Sequence, residues 1–373
     1  MEEPIRILHV LGSTNLGGAE SRIMDIYRYI DREKVQFDFL VHQTDKGYYE
    51  DEIESLGGRI YRVPRFKLYN LSSYKKAVQK FFAEHHEFKA VHGHMTSTAA
   101  IYLNIAKKNG IPMTIAHARS AGVDKGIKGN ITLWIRKPLK RRCDYMFACS
   151  GLAAEAVFGS KNTLDGKVKI IPNAIDVEPF CYSEEVRRQM REELKLEDHF
   201  VIGHVGRFHY AKNHEYLLDV FKEISLKQQN ALLLLLGEGN RMEEMKKKAK
   251  ELDIEDKVLF VGNKKETWDY YQAMDFFVFP SRFEGLPGTV VEAQAAGLLC
   301  LISDSIAKEV GITNLVAYKS IEENPERWAD FVLEHKEYAR ENKYEPIAAA
   351  GFDVREQAKR YEQFYLSGEE DCL

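Results

Sequence analysis

No apolar stretch in this chain approaches the roughly 18 residues that a membrane-crossing helix needs. The longest run, Ala231–Leu236, has the length of one strand. The first residues, Met1–Arg6, carry two acids and no hydrophobic leader, so no secretory signal peptide is expected. Cysteine is scarce. Cys143, Cys149, Cys181, Cys300 and Cys372 form no C-x-x-C pair and are odd in number, which argues for reduced thiols. Nor does charge of one sign dominate. The 53 basic and 57 acidic side chains leave a formal charge of -4, so a global polyanion-binding role, nucleic acid included, is not expected. These absences point to a cytoplasmic protein that is soluble or lies on a membrane surface.

What is present reads as a globular protein of more than one core. The 373 residues exceed one ordinary domain, and 45% hydrophobic with 29% charged residues suits a packed, soluble chain. Short apolar runs alternate with amphipathic stretches from the start. Ile5–Leu11 reads as a buried strand and 19–30 as a helix, with Ile23, Ile26, Tyr27 and Ile30 at helical spacing. Further strands are expected at 37–41, 59–63, 90–94, 113–117, 145–149 and 168–171. The rhythm stops at the turn-forming segment 171–176 and restarts after a helix at 184–195. Strands then follow at Phe200–Val205, Ala231–Leu236, 258–261, Phe276–Phe279 and 299–302, and the chain closes with a helix at 353–366. This is the pattern of α/β domains with parallel sheets, here two Rossmann-like domains. The boundary is expected near 177: residues 1–177 with the returning helix 353–373 form the first domain, and 178–352 the second. Ligands of such sheets bind beyond the carboxyl ends of strands, so two sheets facing each other would share one interdomain cleft.

The informative residues fall at those ends. After the first strand, Gly17 and Gly18 precede a helix, where backbone N–H groups and the helix dipole can receive a diphosphate; an ordinary glycine turn would read the same way. The spacing is not G-x-G-x-x-G, and His42 and Gln43 follow the second strand where a nicotinamide site would place an acid. The second domain opens with Gly206, Arg207 and, five residues on, Lys212. Two cations there can hold a diphosphate and neutralise a departing one, although solvated charges at a helix start are the bland alternative. No D-x-D pair occurs, so fixed cations would do the work of a divalent metal. The strongest signal is 281–297, where Glu284 and Glu292 flank Gly285, Leu286 and Pro287 at a helix start. Carboxylates so placed can accept hydrogen bonds from the vicinal hydroxyls of a sugar and a ribose.

In order and spacing, these fragments, with 171–176 and Gly237-Glu238-Gly239, resemble the retaining group 1 (family 4) glycosyltransferases of the GT-B fold, especially bacterial exopolysaccharide and capsule enzymes. The resemblance covers nearly the whole chain. It implies that Glu284 holds donor-sugar hydroxyls and Glu292 the ribose, while Arg207 and Lys212 bind the diphosphate with Gly17 and Gly18. His117 would match the family's histidine beside the donor sugar. Gly237 and Asn263 would lie near the nucleotide. By family frequency that nucleotide is UDP, carrying a hexose or N-acetylhexosamine, with no metal or other cofactor. Leu298 stands where the family usually has proline, and Gly288-Thr289 where bulkier residues are common.

The acceptor, a saccharide or lipid-linked saccharide, would be met by the variable loops 42–50, 64–71 and 118–130, with His94 and Arg119 on that side. His92 and His94 share a strand face and raise the idea of a metal pair, but no third ligand at sensible spacing accompanies them. His92 is expected to be buried and satisfied. The segment 125–142 holds seven basic residues, no acid and several large apolar ones. It can rest on anionic lipid, or simply pack its apolar face on the core. A nucleotide-sugar-binding scaffold, an NAD-dependent oxidoreductase and a nucleotide-sugar hydrolase are the competing classes.

Overall fold

The computed structural model describes residues 3–119, 127–284 and 286–373. The chain divides into two compact units, Met1–Ala174 with Asp353–Leu373, and Ile175–Phe352.

The first unit is built on seven parallel strands: β1 (Ile5–Leu11), β2 (Val35–Val41), β3 (Ile60–Arg62), β4 (Phe88–Gly93), β5 (Met113–Ala118), β6 (Tyr145–Ala148) and β7 (Lys169–Ile170). Their order is β3-β2-β1-β4-β5-β6-β7. Central strands read as nearly continuous apolar runs because both faces of a parallel sheet are covered. Leu8, Val10, Val91 and Ala116 face one core, Ile7, Leu11, Ala90 and Ile115 the other. β2 breaks the rule with the fully buried Asp38, and Arg6 on β1 answers it through two hydrogen bonds of 2.5 and 2.6 Å. The strands expected at 59–63 and 168–171 are shorter, Ile60–Arg62 and Lys169–Ile170; both lie at sheet edges, where only one neighbour supplies hydrogen bonds.

The second core of this unit lies under two helices. Gly18–Tyr29 buries Ile23, Met24, Ile26 and Tyr27, and the returning helix Val354–Ser367 buries Val354, Ala358, Tyr361, Phe364 and Tyr365. Asp353 caps the latter by accepting from the amides of Arg355 and Glu356, and Gly368, at φ 80°, ends it. Gln357 donates to the Pro172 carbonyl and Tyr145 to that of Gly368, which fastens the chain's end to the first unit.

The second unit has six parallel strands: β8 (Phe200–Val205), β9 (Ala231–Leu236), β10 (Val258–Gly262), β11 (Phe276–Phe279), β12 (Cys300–Ser303) and β13 (Val316–Lys319), in the order β10-β9-β8-β11-β12-β13. Sequence reading does not find β13. Its residues, Val-Ala-Tyr-Lys, are half-exposed at the sheet edge and lack the buried run that marks the others. Among the described residues no helix is long and apolar enough to cross a membrane.

Candidate active site

In each sheet the strand order reverses once, between β1 and β4 and between β8 and β11. In sheets of this type, ligand sites open outside the carboxyl ends of strands at such a reversal.

In the second unit the loops after β8 and β11 hold the expected groups. Gly206 follows β8, and its amide donates to the Leu236 carbonyl. Arg207 is exposed, and no described group accepts from its guanidinium. Asn213, left-handed at φ 56°, caps the helix His214–Lys227 and donates from its side chain to the Pro280 carbonyl, pinning the first loop to the second. Lys212 Nζ lies 2.8 Å from Glu284 Oε1 and 4.5 Å from the centre of the Phe279 ring. The sequence assigned Lys212 and Glu284 to different parts of a ligand; the structure pairs them. Arg282 donates its amide to Ala211 and lies over the Tyr210 ring, a further link between the two loops.

Pro287 stands just before the helix Gly288–Ala295, and Glu292 lies within that helix. Glu292 is buried, and its Oε2 accepts the Tyr271 hydroxyl at 2.9 Å. A Cβ at Gly288 would stand 3.7 Å from Glu292 Oε1. Leu286 and Pro287 are buried; Gly285 lies outside the described residues. On the same helix Gln294 donates to the Val290 and Val310 carbonyls and accepts from the amides of Ile312 and Thr313, fixing the segment after β12.

The turn after β9 closes on the turn after β8. Gly237 has φ +133°, and a Cβ there would collide with the Gly206 carbonyl. Its amide donates to Gly262, and Asn263 reaches Glu238 at 3.4 Å. The Gly206, Gly237 and 262–263 segments therefore form one hydrogen-bonded rim.

In the first unit, Gly17 caps the helix Gly18–Tyr29 with extended backbone. Side chains at Gly17 and Gly18 would behave differently: a Cβ at Gly17 would strike the Glu20 carboxylate, while one at Gly18 would meet open space. Burial raises the Glu20 carboxyl above its usual range.

Strand parity brings four histidines to one face. His9 on β1, His92 and His94 at the end of β4, and His117 on β5 all project to the side covered by the returning helix. His92 hydrogen-bonds the Tyr365 hydroxyl at 2.7 Å and His117 at 3.0 Å, so it is buried and satisfied as expected. His94, expected on the acceptor side, has both ring nitrogens engaged. Its Nε2 meets His9 Nδ1 at 3.0 Å and its Nδ1 receives the Arg119 Nε–H at 3.3 Å, while Arg119 also holds Asn173 at 2.8 Å. Burial pushes all four imidazoles down, His9 to about 3, with the Arg119 charge adding to the effect.

The sequence offered no third partner for a metal pair; the structure supplies His9, whose ring nitrogens gather with those of His92 and His94 within 4.8 Å. The set still suits hydrogen bonding better than metal ligation. Arginine only donates, so Arg119 requires a lone pair at His94 Nδ1 and thereby a proton on Nε2, the atom facing His9. His9 escaped sequence reading because its meeting with His92 depends on the β1–β4 register. Tyr271, Phe279 and Tyr365 were missed for the same kind of reason.

Within 125–142, residues 125–126 lie outside the described residues, as do 120–126 of the loop 118–130. The helix Ile127–Arg136 splits its apolar residues: Ile135 packs against the core, whereas Leu133 and Trp134 face outward, Trp134 with 74% exposure. Trp134, Ile101 and Leu71 help line a cavity of about 600 Å³ whose other walls include Lys75, Lys137, Lys140, Arg141 and Arg142, with no acid among its lining residues.

Comparison with known proteins gives the same ordering of halves. The family described as glycosyl transferases group 1 matches residues 186–337, and glycosyltransferase family 4 matches residues 16–179. The chain is 33% identical over 359 residues to the Bacillus subtilis protein named as glycosyltransferase EpsF, with 94% of each covered. It is 26% identical to the Staphylococcus aureus capsular polysaccharide biosynthesis glycosyltransferase CapH, over 97% of this chain and 99% of that one. Among solved structures, Anabaena Alr3699/HepE in complex with UDP superposes with a TM-score of 0.73 at 16% identity, covering 96% of this chain and 95% of that one.

Proposed function

This chain belongs to the group 1 glycosyltransferases, and from that premise we propose that it moves a hexose or N-acetylhexosamine from UDP to a saccharide or lipid-linked saccharide in cell-surface polysaccharide synthesis. Its fold is GT-B, two parallel-sheet α/β units. The observation that supports the donor reading is the loop pair after β8 and β11 at the reversal of strand order, where Lys212 meets Glu284, with Arg207 exposed on the first loop and Glu292 on the helix that follows the second. CapH is named for capsular polysaccharide biosynthesis and HepE holds UDP; both agree with the proposed pathway class and nucleotide.

In this reading Arg207 and Lys212 carry the diphosphate, with Gly17 and Gly18 donating amides from the first unit. Gly206, Gly237 and Asn263 flank the base and ribose, Glu292 receives the ribose hydroxyls, and Leu286 and Pro287 shape the turn beside the phosphates. Glu284 orients the sugar and His117 lies against it. The acceptor attacks the anomeric carbon on the face the diphosphate leaves, so configuration is retained without a protein nucleophile. The leaving diphosphate helps take the acceptor proton, and the two cations stabilise its growing charge in place of a metal. The enzyme works in the cytoplasm, resting on anionic membrane through the Trp134 face.

Calorimetric titration with UDP, GDP and NAD, on the wild type and on Glu292→Ala, tests the donor site. Micromolar UDP binding that the variant loses supports it, and NAD binding alone would overturn it. Product analysis with and without acceptor then separates transfer from hydrolysis, and the anomeric configuration of the product decides retention.

A further inference from the structure

A neutral imidazole carries one proton, so a hydrogen bond at one ring nitrogen dictates what the other can do. Burial keeps His9, His92, His94 and His117 neutral near pH 7. Two groups at the edges of this cluster have fixed or nearly fixed polarity. Arg119 can only donate, and it donates to His94 Nδ1. The proton of His94 therefore sits on Nε2 and points at His9 Nδ1, which leaves the His9 proton on Nε2, a buried atom with no described partner.

Tyr365 decides the other branch. Its hydroxyl, fully buried on the returning helix, has one described partner, His92 Nδ1 at 2.7 Å. If the hydroxyl accepted from His92, His117 would have to donate from Nδ1. Both the hydroxyl hydrogen and the His117 Nε2 lone pair would then be stranded, the hydrogen alone at a cost of about 1–3 kcal/mol, whereas the other arrangement strands a single donor. If the hydroxyl donates, His92 keeps a proton on Nε2 and passes a hydrogen bond to His117 Nδ1 at 3.0 Å. His117 is then left with Nε2–H, which is buried and meets no described acceptor.

We infer that Tyr365, acting through His92, fixes the tautomer of His117 so that its Nε2 is a hydrogen-bond donor. Tyr365 and His92 are positioning residues; they reach the site only through another ring. The consequence is chemical. His117 so fixed donates to an oxygen of its ligand, a hydroxyl or ring oxygen of a sugar, and offers no base at that atom. A ligand oxygen there would satisfy a donor that the protein leaves unpaired. That last step rests on the proposed place of His117 beside the donor sugar; the tautomer itself does not.

Long-range nitrogen–carbon-bound-proton NMR of the full chain with labelled histidine reads each tautomer, His117 being assigned by loss of its signals in His117→Gln. The wild type is expected to show His117 and His92 protonated on Nε2. In Tyr365→Phe the directing hydroxyl is gone, and both rings should leave that single form. Protonation of wild-type His117 on Nδ1 would overturn the inference without any variant, and so would an unchanged His117 tautomer in folded Tyr365→Phe. Transfer assays on Tyr365→Phe are expected to show about fivefold lower turnover. A shifted spectrum with unchanged turnover would uphold the tautomer relay and remove His117 from the sugar site.

Discussion

Lys212 and Glu284 form an ion pair at 2.8 Å, the ammonium lying also over the ring of Phe279. The pair links the loop after β8 to the loop after β11. In the proposed donor site a diphosphate arriving at Lys212 would compete with this carboxylate and free Glu284 to accept hydrogen bonds from the sugar hydroxyls.

Lys212→Ala should therefore act on chemistry far more than on stability. Turnover is expected to fall about 10²–10³-fold, as for loss of one group that stabilises developing charge. A partly exposed pair contributes at most about 1 kcal/mol to folding, so the melting temperature should hardly move. Steady-state kinetics decide it; unchanged turnover removes Lys212 from the mechanism.

Glu292 receives the Tyr271 hydroxyl, which orients its carboxylate within the helix. Glu292→Ala is expected to abolish measurable UDP binding. Tyr271→Phe removes one hydrogen bond to a charged group and should weaken UDP about tenfold or more. Titration calorimetry separates the two effects. Full UDP affinity in Tyr271→Phe would mean that the hydroxyl does not set the geometry of the acid.

Gly237→Ala should destabilise the second unit. The position has φ +133° and a Cβ would meet the Gly206 carbonyl, so both backbone conformation and space oppose it. A loss of about 2 kcal/mol or more in denaturant unfolding is expected, with weaker nucleotide binding because Gly206 must move. An unaltered unfolding midpoint would contradict the observed turn.

Acid should unfold the protein early. Burial holds His9 and His204 at about 3 and His214 at about 2, against about 6.5 in an unfolded chain. The folded pKa is depressed, so below about pH 6.5 the unfolded state binds more protons. Stability is complete above that pH and is lost as pH falls toward about 3, by roughly 1 kcal/mol per unit for each such histidine. Equal denaturant midpoints at about pH 7.5 and about pH 5 would show that these rings charge without cost.

The Trp134 face should select anionic membranes. Each nearby cation adds about 1 kcal/mol on an acidic surface, and Lys75, Lys137, Lys140, Arg141 and Arg142 line the adjoining cavity. Co-sedimentation with phosphatidylcholine vesicles containing phosphatidylglycerol should exceed that with phosphatidylcholine alone, and should weaken in salt and in Trp134→Ala. Equal partition onto both vesicles would remove the selectivity for anionic lipid, and binding to neither would remove membrane contact.

The sequence by itself determined the α/β class, most strand positions and the loops that carry charge. Parallel strands buried on both faces must be short, uniformly apolar runs, and the polar groups between them stand out against that background. Hence β8, β9 and β11 are legible to the residue, whereas β13, half-exposed at an edge, is not. As charged residues against apolar strands, the candidates Glu284, Glu292, Arg207 and Lys212 stand out for the same reason. Tertiary structure alone decided which side chains meet. Pairing of Lys212 with Glu284 needs β8 beside β11, the stacking of His9 on His92 needs the register of β1 on β4, and Tyr365 reaches His92 across 273 residues. Local pattern encodes the period and polarity of each element. Register and helix return arise from packing between distant segments, and hydrogen-bond partners are fixed only once that packing exists.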